Sequence, residues 1–168
     1  CHNLRDFILD KERTGIIAEF KRASPSKGII NNEVSVTEVV TGYAEAGASA
    51  ISVLTDHDFF QGSLTDLLEA RKAVNIPLLR KDFIVDEYQI AEAKAYGADI
   101  ILLIAAVLSN AEVARLAKYA KSLGLNVLLE IHNEQELIGN TINEIDAIGV
   151  NNRNLKDFSV SIQHSLDL

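Results

Sequence analysis

The chain has 168 residues, 48% of them hydrophobic and 24% charged, which is ordinary for one soluble globular domain, and we predict a single domain over residues 1–168. The formal net charge of −8 argues against a nucleic-acid partner but permits a locally basic pocket for an anionic small molecule. The longest apolar run, residues 100–108, is far shorter than the roughly 20 residues that span a bilayer, and Cys1 is the only cysteine, so we expect a cytoplasmic protein with no membrane partner.

Six apolar segments rich in β-branched residues are spaced along the chain. We predict strands at residues 15–20, 50–54, 77–79, 99–104, 126–131 and 147–150. These segments are apolar along their whole length and do not alternate with polar residues. We therefore expect both faces to be buried, as in a parallel sheet that is covered by helices.

Segments with helical spacing lie between the predicted strands. We predict five helices in these segments. The first starts near Val36 and ends at Gly42 or Gly47, and the second follows Ser63. The third spans residues 86–96, the fourth runs from Ser109 to Gly124, and the fifth spans residues 133–142. Six strand–helix alternations fit either an open doubly wound sheet or a (β/α)₈ barrel. No Gly-x-Gly-x-x-Gly turn follows the first strand, which weakens the dinucleotide-binding form of the open sheet.

Charged and amide residues mark the carboxyl ends of the predicted strands. They are Glu19 and Lys21 at the end of the first strand, Lys81 at the end of the third, Glu130 at the end of the fifth, and Asn151 and Arg153 at the end of the sixth. Alternate strands of a barrel contribute to one interior layer, so the first four of these side chains would converge in one small volume. Acidic and basic groups in such proximity shift one another's pKa values, which is the usual condition for acid/base catalysis. The alternatives are strand-end charges that face solvent and a plain turn at residues 151–153.

Several loop residues allow a structural or a functional interpretation. Residues 56–58 are Asp-His-Asp, but no second cluster has matching metal-ligand spacing, so we predict no metal site. Phe59 and Phe60 either pack on the barrel rim or form an apolar wall for an aromatic ligand. We interpret Lys27 as a surface charge and His132 as a structural histidine that forms hydrogen bonds.

Five motifs occur in the same order as in a known enzyme family and cover nearly all of the chain. They are IAEFKRASPSKG at residues 17–28, SVLT through FQGS at 52–63, LRKDFIVD at 79–86, LEIH at 129–132 and IGVNNRNL at 148–155. This set resembles the signature of indole-3-glycerol-phosphate synthase, the ring-closing enzyme of tryptophan biosynthesis. The resemblance implies a (β/α)₈ TIM barrel with no metal and no organic cofactor. It also implies a phosphorylated small-molecule substrate, 1-(2-carboxyphenylamino)-1-deoxyribulose 5-phosphate, whose ring is closed with loss of CO₂ and water.

The resemblance also implies roles for individual residues. Lys81 corresponds to the general acid, Glu130 to its acid/base partner, and Lys21 to the lysine that holds the substrate carboxylate and can donate a proton. Glu19 would orient that lysine. The resemblance implies that Asn151, a catalytic residue, and Arg153, a substrate-binding residue, bind and stabilise the reacting centre. The other substrate-binding residues that it implies are Pro25, Phe60, Phe83 and Leu155 around the aromatic ring and Ser24 in the first loop.

The chain departs from the family pattern in one respect. A complete barrel has eight βα units and about 250 residues, and the loops after its last two strands usually form a phosphate site. We predict six strands before Leu168, so the last two units are missing from the expected pattern. Two alternatives follow: a non-catalytic partial barrel that self-associates through exposed sheet edges, and another phosphate-binding barrel such as phosphoribosylanthranilate isomerase.

Overall fold

The structure is a computed structural model that describes residues 1–31, 33–153, 160–166 and 168. The strands are β1 (Ile17–Phe20), β2 (Ala23–Ser24), β3 (Gly28–Ile29), β4 (Ala50–Leu54), β5 (Leu78–Lys81), β6 (Ile100–Ile104), β7 (Asn126–Ile131) and β8 (Ala147–Val150). The helices are α1 (Leu4–Ile8), α2 (Val36–Glu45), α3 (Leu64–Ala73), α4 (Glu87–Ala95), α5 (Asn110–Ser122), α6 (Glu134–Gly139) and α7 (Gln163–Leu166).

Six strands form one parallel sheet in the order β1-β4-β5-β6-β7-β8, so each strand pairs with the next one along the chain. An open doubly wound sheet reverses its strand order at a switch point, and the described strands contain no such reversal. Crossovers of one hand in a continuous order place the helices on one side of the sheet. The six βα units therefore curl as part of a barrel, which confirms the barrel prediction.

Two apolar layers lie on the two faces of this sheet. The outer layer packs strand residues such as Val53 and Leu103 against helix residues such as Leu116. The inner layer joins residues of β4, β5 and β6 to Leu4 of α1. Since successive strand residues point to opposite faces, each strand contributes to both layers, and this explains why the strand segments are apolar throughout.

The edge strands of the sheet are less buried than the central ones. Every residue of β4 is buried, whereas most residues of β1 and β8 are only partly buried. Each edge strand pairs with one neighbour within the described sheet, and this leaves one of its sides without a covering strand. The prediction of complete burial is therefore wrong for the two outermost strands.

The element boundaries differ from the predicted ones at a few points. The third sheet strand extends to Lys81 instead of ending at Leu79, so the lysine belongs to the strand itself. Helix α2 passes through Gly42 and ends before Gly47, whose φ of +87° lies in the left-handed region that favours glycine. Helix α6 is shorter than the predicted residues 133–142. No helix of the described residues is long and apolar enough to cross a membrane.

The backbone of the β4–α3 loop passes so close to the end of β4 at Gly62 that there is no room for a side chain there. A Cβ at this position would lie 2.1 Å from the carbonyl oxygen of Leu54. We expect Gly62→Ala to lower the free energy of unfolding by about 1–3 kcal/mol, because backbone must move to admit the methyl group. Urea denaturation monitored by circular dichroism measures the change.

Gly42→Ala is the matched control, because a Cβ there meets nothing within 4 Å and the residue lies inside α2. We expect this variant to be more stable by about 0.5–1 kcal/mol. A Gly62→Ala protein as stable as the unsubstituted chain would contradict the close-approach argument.

Candidate active site

A cavity of about 660 Å³ lies at the carboxyl ends of the parallel strands, a size in the range of small-molecule sites. Its lining includes every predicted site residue that the structure describes, namely Glu19, Lys21, Ser24, Pro25, Phe60, Lys81, Phe83, Glu130, Asn151 and Arg153. Leu155, predicted as part of the wall, lies outside the described residues. The structure thus brings together residues that are up to 134 positions apart, from Glu19 to Arg153.

Strand alternation directs the charged side chains into the barrel interior. Glu19, Lys81 and Glu130 alternate along β1, β5 and β7 with residues that face the helices, such as Phe20 and Leu129 in the outer apolar layer. Parallel pairing then places the ends of these strands at the same rim of the sheet. The convergence that the strand order predicted is therefore present.

Glu19 joins the two lysines of the cavity. Lys21 Nζ donates to Glu19 Oε1 at 2.7 Å, and Lys81 Nζ donates to Glu19 Oε2 at 3.4 Å. Burial of Glu19 opposes ionisation, but the Lys81 charge and the hydrogen bond from Lys21 outweigh it and lower the pKa of this carboxyl below its ordinary value of 4.5. The carboxylate is therefore ionised at neutral pH and holds both ammonium groups at one place.

Glu130 has its own set of partners on the other side of the cavity. Asn151 Nδ2 donates to Glu130 Oε1 at 2.8 Å, and His132 Nε2 lies 4.0 Å from the same oxygen. The His132 backbone N–H donates to Glu136 Oε2 at 2.8 Å, and His132 Nδ1 lies 3.6 Å from that oxygen. The imidazole thus lies between the cavity carboxylate and a carboxylate of α6.

Two phenylalanines form an apolar wall of the cavity. Phe60 and Phe83 both line it, with their ring centroids 6.5 Å apart. Phe59 is 58% exposed and contacts Phe83 edge-on at 6.2 Å, so it supports the wall from outside. Of the two aromatic residues in the β4–α3 loop, only Phe60 is part of the cavity lining.

A short hairpin covers another side of the cavity. Strands β2 and β3 pair antiparallel, and residues 25–27 between them form the turn of this hairpin. Lys27, which we interpreted as a surface charge, is exposed and also lines the cavity. At the base of the hairpin, Arg22 Nη2 donates to Asp66 Oδ1 of α3 at 2.9 Å. That hydrogen bond outweighs the effect of burial and raises the pKa of Arg22.

Sequence reasoning missed several apolar residues that line the cavity, among them Leu54, Leu102 and Ile104. The signal was available, because each residue lies at an even spacing from another inward-facing residue of its own strand. Asp56 also lines the cavity, a position that the Asp-His-Asp pattern of residues 56–58 does not indicate. Within the described part of the chain, no group of three or more His, Cys, Asp or Glu residues could hold a metal ion.

The chemistry available in this cavity follows from its lining. Two ammonium groups can bind an anion or donate protons, and two carboxylates can accept protons. The phenylalanine wall favours a flat aromatic group beside these charges. The arrangement suits acid/base chemistry on an anionic, aromatic small molecule.

Comparison with known proteins relates the whole chain to one family. A family model described as indole-3-glycerol phosphate synthase matches residues 1–168. A relative of that name from Desulfotalea psychrophila is 50% identical over 95% of this chain and 61% of its own length. Another from Bacteroides thetaiotaomicron is 54% identical over 92% of this chain and 59% of its own length. The chain thus spans about three fifths of the length of these two relatives.

Solved structures with a similar fold include the carboxyl transferase domain of Rhizobium etli pyruvate carboxylase. The form with pyruvate and biocytin has a TM-score of 0.53 at 15% identity, covering 80% of this chain and 27% of that chain. A second structure of the domain has a TM-score of 0.55 at 16% identity, covering 79% and 26% of the respective chains. At these identities the likeness concerns the fold alone.

The lowered pKa of Glu19 predicts how stability depends on pH. A carboxyl whose folded pKa is depressed stabilises the fold fully above its ordinary value of 4.5, and this contribution is lost as the pH falls through the lower folded value. We expect Glu19→Gln to abolish this part of the acid dependence. Free energies of unfolding of both proteins, measured at steps of pH from 7 to 2.5, should differ by a constant amount above about pH 4.5 and converge below it. Parallel curves over the whole range would contradict the contacts with Lys21 and Lys81.

Proposed function

The chain belongs to the indole-3-glycerol phosphate synthase family, and we propose that the polypeptide that contains it closes the indole ring of 1-(2-carboxyphenylamino)-1-deoxyribulose 5-phosphate. In this reaction the aryl carbon that carries the carboxylate attacks the ribulose C2 carbonyl. The carboxylate leaves as CO₂ and the oxygen of the former carbonyl leaves as water. The product is indole-3-glycerol phosphate, and the protein is a carbon–carbon lyase.

One observation carries this proposal: a single carboxylate, Glu19, holds the ammonium groups of Lys21 and Lys81 beside an aromatic wall. The substrate has a benzoate group, which needs a cation and a flat apolar surface. It also has a carbonyl, which needs a proton donor at the moment of attack. Two lysines at one place supply the cation and the proton donor without a metal ion, and the phenylalanine wall supplies the flat apolar surface.

We assign the ring closure to the two lysines. Lys21 binds the benzoate carboxylate and holds the aryl carbon towards the carbonyl. Lys81 donates a proton to the carbonyl oxygen as the carbon–carbon bond forms, so that a hydroxyl and not an alkoxide results. Glu19 orients both ammonium groups and is a positioning residue in this scheme.

We assign the later loss of water to the other side of the cavity. Glu130 acts as the acid/base partner that removes the ring proton and assists the departing hydroxyl. Asn151 holds this carboxylate through its 2.8 Å hydrogen bond, and with Arg153 it binds the reacting centre. The remaining predicted contacts of the aromatic ring are Ser24, Pro25, Phe60, Phe83 and Leu155, the last of them on the family resemblance alone.

The direct test is conversion of the carboxyphenylamino-deoxyribulose phosphate to indoleglycerol phosphate, followed by the fluorescence of the indole product. We expect the polypeptide that contains residues 1–168 to catalyse this conversion in the presence of a metal chelator. A folded, full-length protein without this activity would overturn the proposal.

Lys81→Ala tests the proposed general acid. Because a positioned proton donor contributes about 10²- to 10⁴-fold to a rate, we expect kcat to fall by that range while the circular dichroism spectrum is unchanged. Lys118→Ala is the control, since this lysine is exposed on α5 at the outside of the barrel. A near-normal kcat for Lys81→Ala would remove Lys81 from the role of acid.

A further inference from the structure

A hydrogen-bonded cluster at the β5–α4 loop consists of the buried Thr55 and Arg80 and the partly buried Asp82 and Gln89, and we refer to it as the Arg80 clamp. We propose that the Arg80 clamp positions Lys81 and Phe83 for the reaction. The inference rests on the proposed function, because it assigns positioning residues to that reaction. Arg80 lies on the helix-facing side of β5, Thr55 follows β4, Gln89 lies on α4, and Asp82 follows β5 and reaches the cavity lining.

Arg80 is the centre of the clamp. Its side chain is buried, with the residue 4% exposed, and it points away from the cavity because it alternates with the inward-facing Lys81. Its guanidinium donates to Thr55 Oγ1 at 3.1 Å, to Asp82 Oδ2 at 3.0 Å, and to both the carbonyl of Gln89 at 2.7 Å and Glu92 Oε2 at 2.9 Å on α4. One side chain thus joins β4, β5 and α4.

Asp82 links Arg80 and Thr55 to the backbone of Phe83 in the aromatic wall. Its Oδ2 accepts a hydrogen bond from Thr55 Oγ1 at 2.6 Å in addition to the one from Arg80. Its Oδ1 accepts from the backbone N–H of Phe83 at 2.8 Å. The Thr55 hydroxyl bridges the two charged residues, since it accepts a hydrogen bond from Arg80 and donates one to Asp82.

Gln89 fixes the rest of the β5–α4 loop. Its Nε2 donates to the Phe83 carbonyl at 3.0 Å, and its Oε1 accepts from the backbone N–H groups of Val85 at 2.8 Å and Asp86 at 3.1 Å. The peptide groups on both sides of the Phe83 side chain are therefore held by clamp residues. Because Phe83 is 42% exposed, packing alone constrains it less than a buried ring, and these two hydrogen bonds fix the backbone that carries it.

Lys81 lies between two members of the clamp, and its own carbonyl accepts from the Thr55 N–H at 3.1 Å. A lysine has a flexible four-carbon stem, so the accuracy of its ammonium group depends on a fixed backbone and on Glu19. Misplacement of a reacting group by about 1 Å can cost about 10²-fold in rate. Thr55 and Arg80 therefore hold the backbone of the proposed acid from the outer face of the sheet, while Asp82 links them to the cavity rim.

Buried charge clusters also occur for stability alone, and the test must separate the two roles. Substitution of Arg80 itself leaves the carboxylates of Asp82 and Glu92 without their cation and endangers folding. Thr55→Val is better, because it keeps the side-chain shape and removes only the hydroxyl that joins Arg80 to Asp82. Thr55→Ser keeps that hydroxyl and removes a methyl group.

The experiment compares kcat and KM of three variants in the full-length protein, well below their melting temperatures. We expect Thr55→Val to lower kcat/KM about 10- to 100-fold and Thr55→Ser to restore it to within about threefold of the unsubstituted protein. Thr14→Val is the matched control, since the Thr14 hydroxyl likewise bridges two groups, the Gly47 carbonyl and the Ile16 N–H, at the opposite end of the sheet. We expect this control to keep normal activity.

Hydrogen exchange provides a readout that does not need catalysis. We expect the amide of Phe83 to exchange at least tenfold faster in Thr55→Val and at the normal rate in Thr14→Val. Normal kcat/KM in Thr55→Val, or equal losses in Thr55→Val and Thr55→Ser, would overturn the proposal. If the unsubstituted protein is inactive, the proposed function fails, and unchanged exchange at Phe83 would then overturn the clamp separately.

Discussion

The consecutive parallel order of the strands is the constraint on which the candidate site depends. Because β1, β4, β5, β6, β7 and β8 all run the same way and pair in sequence order, their carboxyl ends meet at one rim. Glu19, Lys81 and Glu130 come from three different strands, and none of them is near another in the sequence. A change of direction or register in any one of these strands would turn its charged residue away from the cavity or towards the helices.

Alternation along each strand separates the chemistry from its support. On β5, Lys81 faces the cavity and contacts Glu19, whereas Arg80 faces α4 and is buried among hydrogen-bond acceptors. The same division appears on β7, where Glu130 faces the cavity while Leu129 and Ile131 belong to the outer apolar layer. Adjacent residues of one strand thus serve two environments, and a substitution on the outer face can affect the inner one through the shared backbone.

The sequence predicted those parts of the structure that depend on local pattern. Apolar β-branched segments indicated the six strands of the described sheet, and the position of charges at strand ends indicated that Glu19, Lys81 and Glu130 line one cavity. The capping box at Ser109 likewise predicted the start of α5, where Glu112 completes it. Local pattern did not predict the contacts between residues distant in sequence, such as Arg80 with Thr55 or Arg22 with Asp66, because spacing carries no signal for them.

The contact of Glu19 with two lysines has a consequence for selectivity. One carboxylate faces two ammonium groups, so these three side chains keep one net positive charge that an arriving anion can neutralise while Glu19 stays in place. That charge attracts any small anion and does not by itself distinguish one from another. Discrimination among anions then falls to the apolar wall of Phe60 and Phe83, which favours a carboxylate that carries a flat ring.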